Sequence, residues 1–476
     1  MVNSFNISEE KVNRRTHGEH LTSKDIFLEF IFPEIKDRLK QHIWVDLYCG
    51  EGNLILPILD YLPENEKISF FKNHVYLFDV QSKMVDKCIR NAINYNIPQE
   101  VAEKNIVLRD NLINFPVVLK EKKRPIFHIT NPPYLYLGYI RKHKETQKYL
   151  KLFESKNKGY QDLYQIAMIN DLRNKIPNLI YIIPSNFIFG ASVSNKFRLD
   201  FLKHYNISKM FIFETKKFEF TGTNICIGFF KRKKNAKAEP LEFIAEKYKK
   251  QDTIIKKQYT LKPEFKYRAG SEFDEFIKKY RAVNPLTVKY YLLREAVNKN
   301  KGKHKISVID ANKYESNEYK KLTLSVNDEL KEKIISNILF VRTVDTGSLD
   351  GRVGLGVIKE SFNVQGIFVS TNTYRTHPIQ IFFKPEISIE DQLLLKNYFN
   401  FLLEEFRDRL DSEFLTTYKY SDAEYTRKYL GLTQARSIIE TFPYSILDEN
   451  IKNQLNNYIN IRNFNDVIVL LKKIKK

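Results

Sequence analysis

The sequence predicts an α/β protein: a first domain built on a mainly parallel sheet, followed by a second, mixed α+β domain. Three observations carry this. From Trp44 to about Phe230, short β-branched and aromatic runs alternate with helical patterns, which is how a buried parallel sheet reads. The rhythm stops at the charged run "KRKKNAKAEP", Lys231 to Pro240, and longer segments rich in Lys, Tyr and Phe follow. The length of 476 residues suits two domains, each with its own core. The expected boundaries are 1–235 and 241–476.

In chain order, "SKDIFLEFIFPEIKDRLK" reads as a helix and "HIWVDLY" as the first strand. "NLILPILDYL" is a helix, "HVYLFDV" a strand, "QSKMVDKCIRNAINYN" a helix, and "NIVLRD" and "PIFHIT" are strands. "YQDLYQIAMINDLRNKI" is a helix, and "NLIYIIP", "KMFIFE" and "NICIGFFK" complete the strands. Each apolar run of strand length followed by a helical pattern is one βα step.

Hydrophobic content of 43% with 28% charged residues is ordinary for a globular chain. The formal charge of +21 is not. It points to a polyanionic partner, although a Lys-, Ile- and Asn-rich composition can also reflect an AT-rich genome. Residues 1–230 hold 33 Lys+Arg against 25 Asp+Glu, and residues 231–476 hold 45 against 32, so both halves are basic. Cys49, Cys88 and Cys226 form no CxxC pair and no His/Cys cluster, which indicates neither a disulfide framework nor a metal site and fits a reducing cytoplasm. The N-terminus lacks an apolar signal core, and no window approaches a membrane span, so secretion and membrane insertion are not expected.

The chemistry-bearing motifs sit at strand ends. "WVDLYCGEGN" places Asp46 at the end of the first strand, then Gly50 and Gly52 in a loop where backbone can approach a ligand. Asp79 ends the second strand and Asp110 the third. Singly, a GxG turn is structural as often as functional and strand-end acids are commonly loop solvation; together they favour one ligand shared by three loops. "TNPPY" follows the strand "PIFHIT", and its two prolines stiffen a turn that holds the Asn131 side chain and the Pro132 carbonyl in a set direction.

The order "HGEHLTSKDIF", "VDLYCGEGN", "LFDV", "LRDN", "TNPPY", "YQDLYQIA", "IYIIPSNFIFG" and "FEFTGTNICIGFFKRK" resembles the S-adenosylmethionine-dependent N6-adenine DNA methyltransferases of bacterial restriction–modification systems, in their gamma group, over roughly residues 14–232. The resemblance implies a Rossmann-like methyltransferase domain followed by a DNA target recognition domain. It places Thr22 near the cofactor's methionine carboxylate, Asp46 at the head of the cofactor loop, and Cys49, Gly50 and Gly52 along the methionine and ribose. Asp79 would bind the ribose hydroxyls and Asp110 the adenine amino group. Leu47, Tyr48 and Glu51 depart from the family's loop, Glu51 by setting a carboxylate near that of the cofactor.

For catalysis, the resemblance makes the Asn131 side-chain oxygen and the Pro132 carbonyl the acceptors for the target amine, preorganised by the proline turn. Tyr134 would stack on a base flipped out of the duplex, and Phe218, with Phe220 as fallback, would grip its other face. The plainer alternative makes both phenylalanines hairpin core. Asp162-Leu163-Tyr164 would support the NPPY loop from a helix.

Cytosine C5 methylation needs a Pro-Cys nucleophile, and no cysteine here follows a proline. Cytosine N4 methylation, RNA adenine methylation, release-factor glutamine methylation and a non-catalytic DNA-binding subunit remain as alternatives. In the second half, "YKKQDTIIKKQYTLK" and "KYRAG" are candidate phosphate-contact strips and Arg342, Asp345 and Arg352 a candidate groove loop. Gly351, Gly354 and Gly356 read as a turn, Arg375 and Arg427 stand between aromatics that suit backbone tracking, and "ILDENIKNQLNNYI" reads as a structural amphipathic helix. The expectation is a monomeric bacterial cytoplasmic enzyme acting on double-stranded DNA, without cleavage, any cognate restriction endonuclease being a separate chain.

Overall fold

Apolar runs buried on both faces make the sheet. In the computed structural model, which describes residues 16, 18, 22–190, 193–215, 224–249, 253–345, 352–373, 376–408, 416–417 and 428–474, the expected strands are β1 (Ile43–Asp46), β2 (Val75–Asp79), β3 (Ile106–Leu108), β4 (Ile126–Thr130), β5 (Asn178–Pro184), β6 (Tyr205–Phe213) and β7 (Ile225–Arg232). Two more, β8 (Leu241–Tyr248) and β9 (Ile254–Leu261), follow them. β1 and β4 are buried at every position because helices and loops cover both faces. Trp44, for example, stacks on Phe127 of the neighbouring strand with ring centroids 5.2 Å apart, while Ile43 and Val45 face the opposite core.

The sheet has nine strands in the order β3-β2-β1-β4-β5-β7-β6-β8-β9. β1 pairs in parallel with β2 and β4, β2 with β3, and β4 with β5, whereas β7 runs antiparallel to both neighbours. β1 lies between β2 and β4, so the strand order reverses beside it. This is the switch point at which a doubly wound sheet opens a crevice beyond its carboxyl ends. Asp46, Asp79 and the NPPY turn all leave the sheet at that edge.

The crossovers hold the helices α1 (Glu64–His74), α2 (Ser82–Asn94), α3 (Leu163–Arg173) and α4 (Asn195–Leu202), of which α2 and α3 are expected from the sequence and α1 and α4 are not. Two expected helices come out irregular. The first, Lys24–Gln41, contains a π turn at Phe27–Ile31 and closes as a three-ten helix. "NLILPILDYL" becomes turns followed by a three-ten helix, Leu56–Tyr61, since Pro57 lacks the donor that a longer α-helix would use.

The chain divides into two units, Met1–Ala269 with Thr417–Thr426, and Gly270–Thr416 with Arg427–Lys476. The boundary expected at 235–241 therefore moves to 269–270. β8 buries Leu241, Phe243 and Ala245 in alternation and pairs with β6, and β9 pairs with β8. The charged run is a loop between strands of one sheet. Within "YKKQDTIIKKQYTLK", Ile254–Leu261 is strand β9 of this sheet. In "KYRAG", Tyr267 and Arg268 are buried, so it does not form an exposed phosphate strip.

The second unit is mixed α+β. It has one sheet of β10 (Thr287–Tyr290), β17 (Ile379–Lys384), β14 (Leu339–Arg342) and β15 (Gly354–Val357), and another of β11 (Leu292–Leu293), β16 (Gly366–Val369), β12 (His304–Glu315) and β13 (Glu318–Val326). β12 and β13 form a hairpin whose two turn residues, Ser316 and Asn317, both take positive φ, the left-handed pair that a tight turn between right-twisted strands requires. The unit's helices include Ser271–Tyr280, Asp328–Ser336, Ile389–Asp408, Leu432–Ile439, Glu449–Asn460 and Phe464–Ile474, and Asp448 caps Glu449–Asn460 through the Ile451 N–H. Gly354 and Gly356 lie in strand β15 and not in a turn. A Cβ on Gly354 would meet the Asn400 side chain at 2.5 Å, and one on Gly356 would meet Phe340 at 2.5 Å. Asp345 accepts the Val353 N–H at 2.6 Å and Arg352 pairs with Glu404, so these charges brace their own loop. Arg375 and Arg427 lie outside the described residues. Among the described residues no helix is long and apolar enough to cross a membrane.

Candidate functional site

The loop after β1 is fixed from beneath. Asp46 Oδ1 accepts the Tyr48 N–H (3.0 Å) and the Thr130 hydroxyl (2.6 Å). Burial pushes the Asp46 carboxyl up to about 6, against the opposing pull of His128 and these hydrogen bonds. His128 Nε2 accepts the Leu47 N–H at 3.2 Å, so its Nδ1 carries the proton and donates to Asp171 at 2.6 Å. Tyr181 donates to the same Asp171 oxygen at 2.6 Å.

The glycines turn this loop onto the second strand. Gly50, at φ +51°, donates its N–H to Asp79 Oδ2 (2.9 Å), and the Gln81 N–H reaches Asp79 Oδ1 (2.9 Å). Gly52, at φ +86°, has no room for a side chain: a Cβ would lie 2.6 Å from Leu56 Cδ1 and 2.8 Å from Cys88 Sγ. Glu51, the residue out of pattern, pairs with Lys87 at 2.8 Å, and its carbonyl accepts from Asn91, which ties it to α2. On the third loop, Asp110 Oδ1 accepts the Leu112 N–H (3.0 Å), and buried Asn111 donates to the Leu47 carbonyl (2.7 Å), joining the first loop to the third.

The NPPY turn closes the ring. Asn131 Nδ2 donates to Thr22 Oγ1 at 2.9 Å, which leaves its oxygen as the acceptor, and Tyr134 offers its hydroxyl to that oxygen and to the Ile182 carbonyl. The Tyr134 N–H bonds the Gly18 carbonyl (3.0 Å), and Gly18, at φ +70°, would place a Cβ 2.7 Å from the Tyr134 carbonyl oxygen. Asn53 donates to the Thr22 carbonyl at 2.9 Å. Asp162 accepts the Leu135 N–H (2.9 Å), and the Tyr164 ring meets Tyr134 edge-on with centroids 6.5 Å apart, so the "QDLY" helix start supports the turn.

These loops surround a cavity of about 400 Å³. Of the described residues expected from sequence, all line it except Gly52, which turns the loop from behind, and Tyr134, whose hydroxyl meets the Asn131 oxygen and the Ile182 carbonyl. Phe218 and its fallback Phe220 lie outside the described residues. Sequence reasoning missed four groups here: Gly18, Asn53, the exposed apolar pair Val80 and Ile113, and the segment Lys148 to Leu152. One of them carried a local signal, since Val80 directly follows Asp79.

Residues 53–218 match the Eco57I restriction-modification methylase family. The matched segment runs from the glycine loop through NPPY to the strands beyond it, and it supports a methyltransferase of the restriction–modification type. No curated protein matches the chain. Among solved structures, the type IIL restriction-modification enzyme MmeI in complex with DNA aligns at a TM-score of 0.50 and 11% identity over 97% of this chain and 76% of that one. The DrdV–DNA complex aligns at 0.39 and 12% over 54% of this chain and 31% of its own. The ATP-dependent type ISP restriction-modification enzyme LlaBIII bound to DNA aligns at 0.35 and 15% over 48% and 19%. This chain therefore spans less than a third of DrdV and of LlaBIII. The MmeI likeness shows the fold, and the first unit has a Rossmann-like methyltransferase fold with a mainly parallel sheet.

Proposed function

We propose that this chain transfers the methyl group of S-adenosylmethionine to the exocyclic N6 of an adenine flipped out of duplex DNA. The observation that carries the reading is that the three strand-end carboxylates and the Asn131-Pro132 pair line one cavity. The cofactor fits the donor set. Asp79 presents its carboxylate to the cavity where ribose hydroxyls would lie, Asp110 offers an acceptor to an adenine amino group, and Val80 and Ile113 are exposed apolar side chains suited to a flat base. A cationic sulfonium suits a cavity bearing the carboxylate of Asp46. Bound there, the cofactor supplies an electrophilic methyl group.

The chain's own residues prepare the acceptor nitrogen. An adenine amine is a weak nucleophile because its lone pair is delocalised into the ring. Asn131 Oδ1 and the Pro132 carbonyl, taking one N–H each, hold that nitrogen towards tetrahedral geometry without reorganising. The Thr22 contact fixes which end of the Asn131 amide faces the substrate. Tyr134 has one hydroxyl proton and two acceptors, so it can turn to the Ile182 carbonyl when the substrate amine takes its place at Asn131. The second unit is read as the target recognition domain, and Phe218 as the residue on the far face of the base.

The roles separate experimentally. Asn131→Ala should bind S-adenosylmethionine with affinity within about twofold of wild type while losing turnover by about 10² or more, as for removal of a transition-state acceptor. Asp79→Ala should lose cofactor affinity first. Calorimetric titration of the cofactor alongside a methyl-transfer assay distinguishes them. Equal loss of cofactor binding in both variants would contradict the assignment.

A further inference from the structure

The segment leaving the NPPY turn is strongly and unevenly charged. Residues 141–151, "RKHKETQKYLK", carry Arg141, Lys142, Lys144, Lys148 and Lys151 against the single acid Glu145. It is seated from within: Thr146 is buried and donates to the His143 carbonyl at 2.8 Å, His143 stacks on Tyr139 with centroids 3.9 Å apart, and the three-ten helix Lys144–Phe153 ends on buried Phe153. Asn157 then ties the Leu152 carbonyl at 2.6 Å. In a three-ten helix residues three apart eclipse, so Lys148 and Lys151 share one face with Glu145, successive members a turn or about 6 Å apart. Both line the cavity that holds Asn131 and Pro132.

Some surface lysines of this unit find acids, as in Lys87 with Glu51, Lys196 with Asp200 and Lys209 with Glu34. Arg141, Lys144, Lys148 and Lys151 are exposed and make no ion pair among the described residues. A solvated face with no partner usually mixes both signs. Four exposed cations against one acid, two of them at a cavity rim, point to an anion. The cofactor has one carboxylate, and Arg141 and Lys144 stand outside the cavity lining, so a small ligand does not account for all four. An extended polyanion does.

Resting on the reading that this chain methylates DNA, we propose that the basic face of residues 141–151 holds the phosphodiester backbone flanking the base presented to Asn131. Such contacts position a strand without reading its sequence, and each phosphate neutralised releases counterions. The catalytic unit thus contributes to DNA affinity in its own right.

The test is duplex binding by the full chain at salt concentrations from about 50 to about 200 mM, with cofactor affinity measured in parallel. Arg141→Gln with Lys144→Gln should weaken duplex binding and flatten the slope of log K against log salt by about 0.9 for each phosphate no longer neutralised, roughly 1.8 for the pair. Cofactor affinity should stay at the wild-type value, and Lys144→Arg should keep the wild-type slope. Adding Lys148→Gln and Lys151→Gln should flatten the slope further. A pair variant with wild-type affinity and slope, when the wild type binds and methylates duplex DNA, overturns the inference and leaves the proposed reaction standing. A wild type that neither binds nor methylates duplex DNA overturns the reaction, and this inference with it.

Discussion

Asp46 shows how a single buried carboxylate can be read as a pH-dependent element. Its folded pKa of about 6 stands above its ordinary 3.8 because burial disfavours the charge. Between those values the folded state holds a proton that the unfolded chain has lost, so stability falls as pH rises from about 4 to 6, and above 6 the full cost remains. At about 1.36 kcal/mol per pKa unit that cost is about 3 kcal/mol. Asp46→Asn should flatten the dependence over this window and raise stability at neutral pH by up to about 3 kcal/mol, read by urea unfolding at about pH 4.5 and about pH 7. A variant with the wild-type pH slope would show that another group titrates. The same ionisation should strengthen binding of a cationic cofactor as pH rises through about 6, and the Asn variant should lose that trend.

At the scale of elements, the site hangs on loops braced by groups that no local motif announces. Arg198 of α4 is fully buried and has no carboxylate partner among the described residues. It donates to the carbonyls of Lys266 (2.8 Å), Phe187 (2.6 Å) and Gly190 (2.7 Å) and to Asn195 Oδ1 (2.7 Å), and burial lowers its pKa to about 9. This one guanidinium joins α4, the "SNFIFG" turn after β5 and the end of the unit. Arg198→Met leaves these acceptors buried and unpaired, at about 1 kcal/mol or more each. The expected loss is at least about 3 kcal/mol, seen as a lower urea midpoint for the first unit. Arg198→Lys should recover only part of it, because an ammonium cannot reproduce the planar fork. A midpoint shift worth less than about 1 kcal/mol for the Met variant would contradict this role.

The strands around the cavity were legible because parallel strands buried on both faces leave unbroken apolar runs, and because each of the first three is followed by an acid at a recognisable distance. NPPY was legible because two prolines admit few conformations. What escaped was tertiary. Nothing in "HGEH" shows that Gly18 must take positive φ beneath Tyr134, because the two are far apart in sequence. Arg198 reads as an ordinary helix cation until its carbonyl partners converge from separate segments. Gly354 and Gly356 resemble a turn because spacing alone cannot reveal Asn400 and Phe340 pressing on a strand.

On the whole molecule, charge and domain organisation bear on one another. Because β8 and β9 extend the sheet, the first unit carries lysines that a boundary near 235 would have assigned to the second. The excess of +21 is thus shared between a unit with a methyltransferase fold and a mixed α+β unit with its own core. The match of residues 53–218 to a restriction-modification methylase family, the cavity lining and the basic rim are all consistent with a DNA substrate, and the identity of the modified base is the claim on which the rest depends. The decisive measurement is incubation of the full chain with isotope-labelled S-adenosylmethionine and duplex DNA of diverse sequence, digestion to nucleosides, and mass spectrometry, with Asn131→Ala as control. The account predicts labelled N6-methyladenine from the wild type and none from the variant; labelled N4-methylcytosine, or label in RNA or protein with none in DNA, would contradict it.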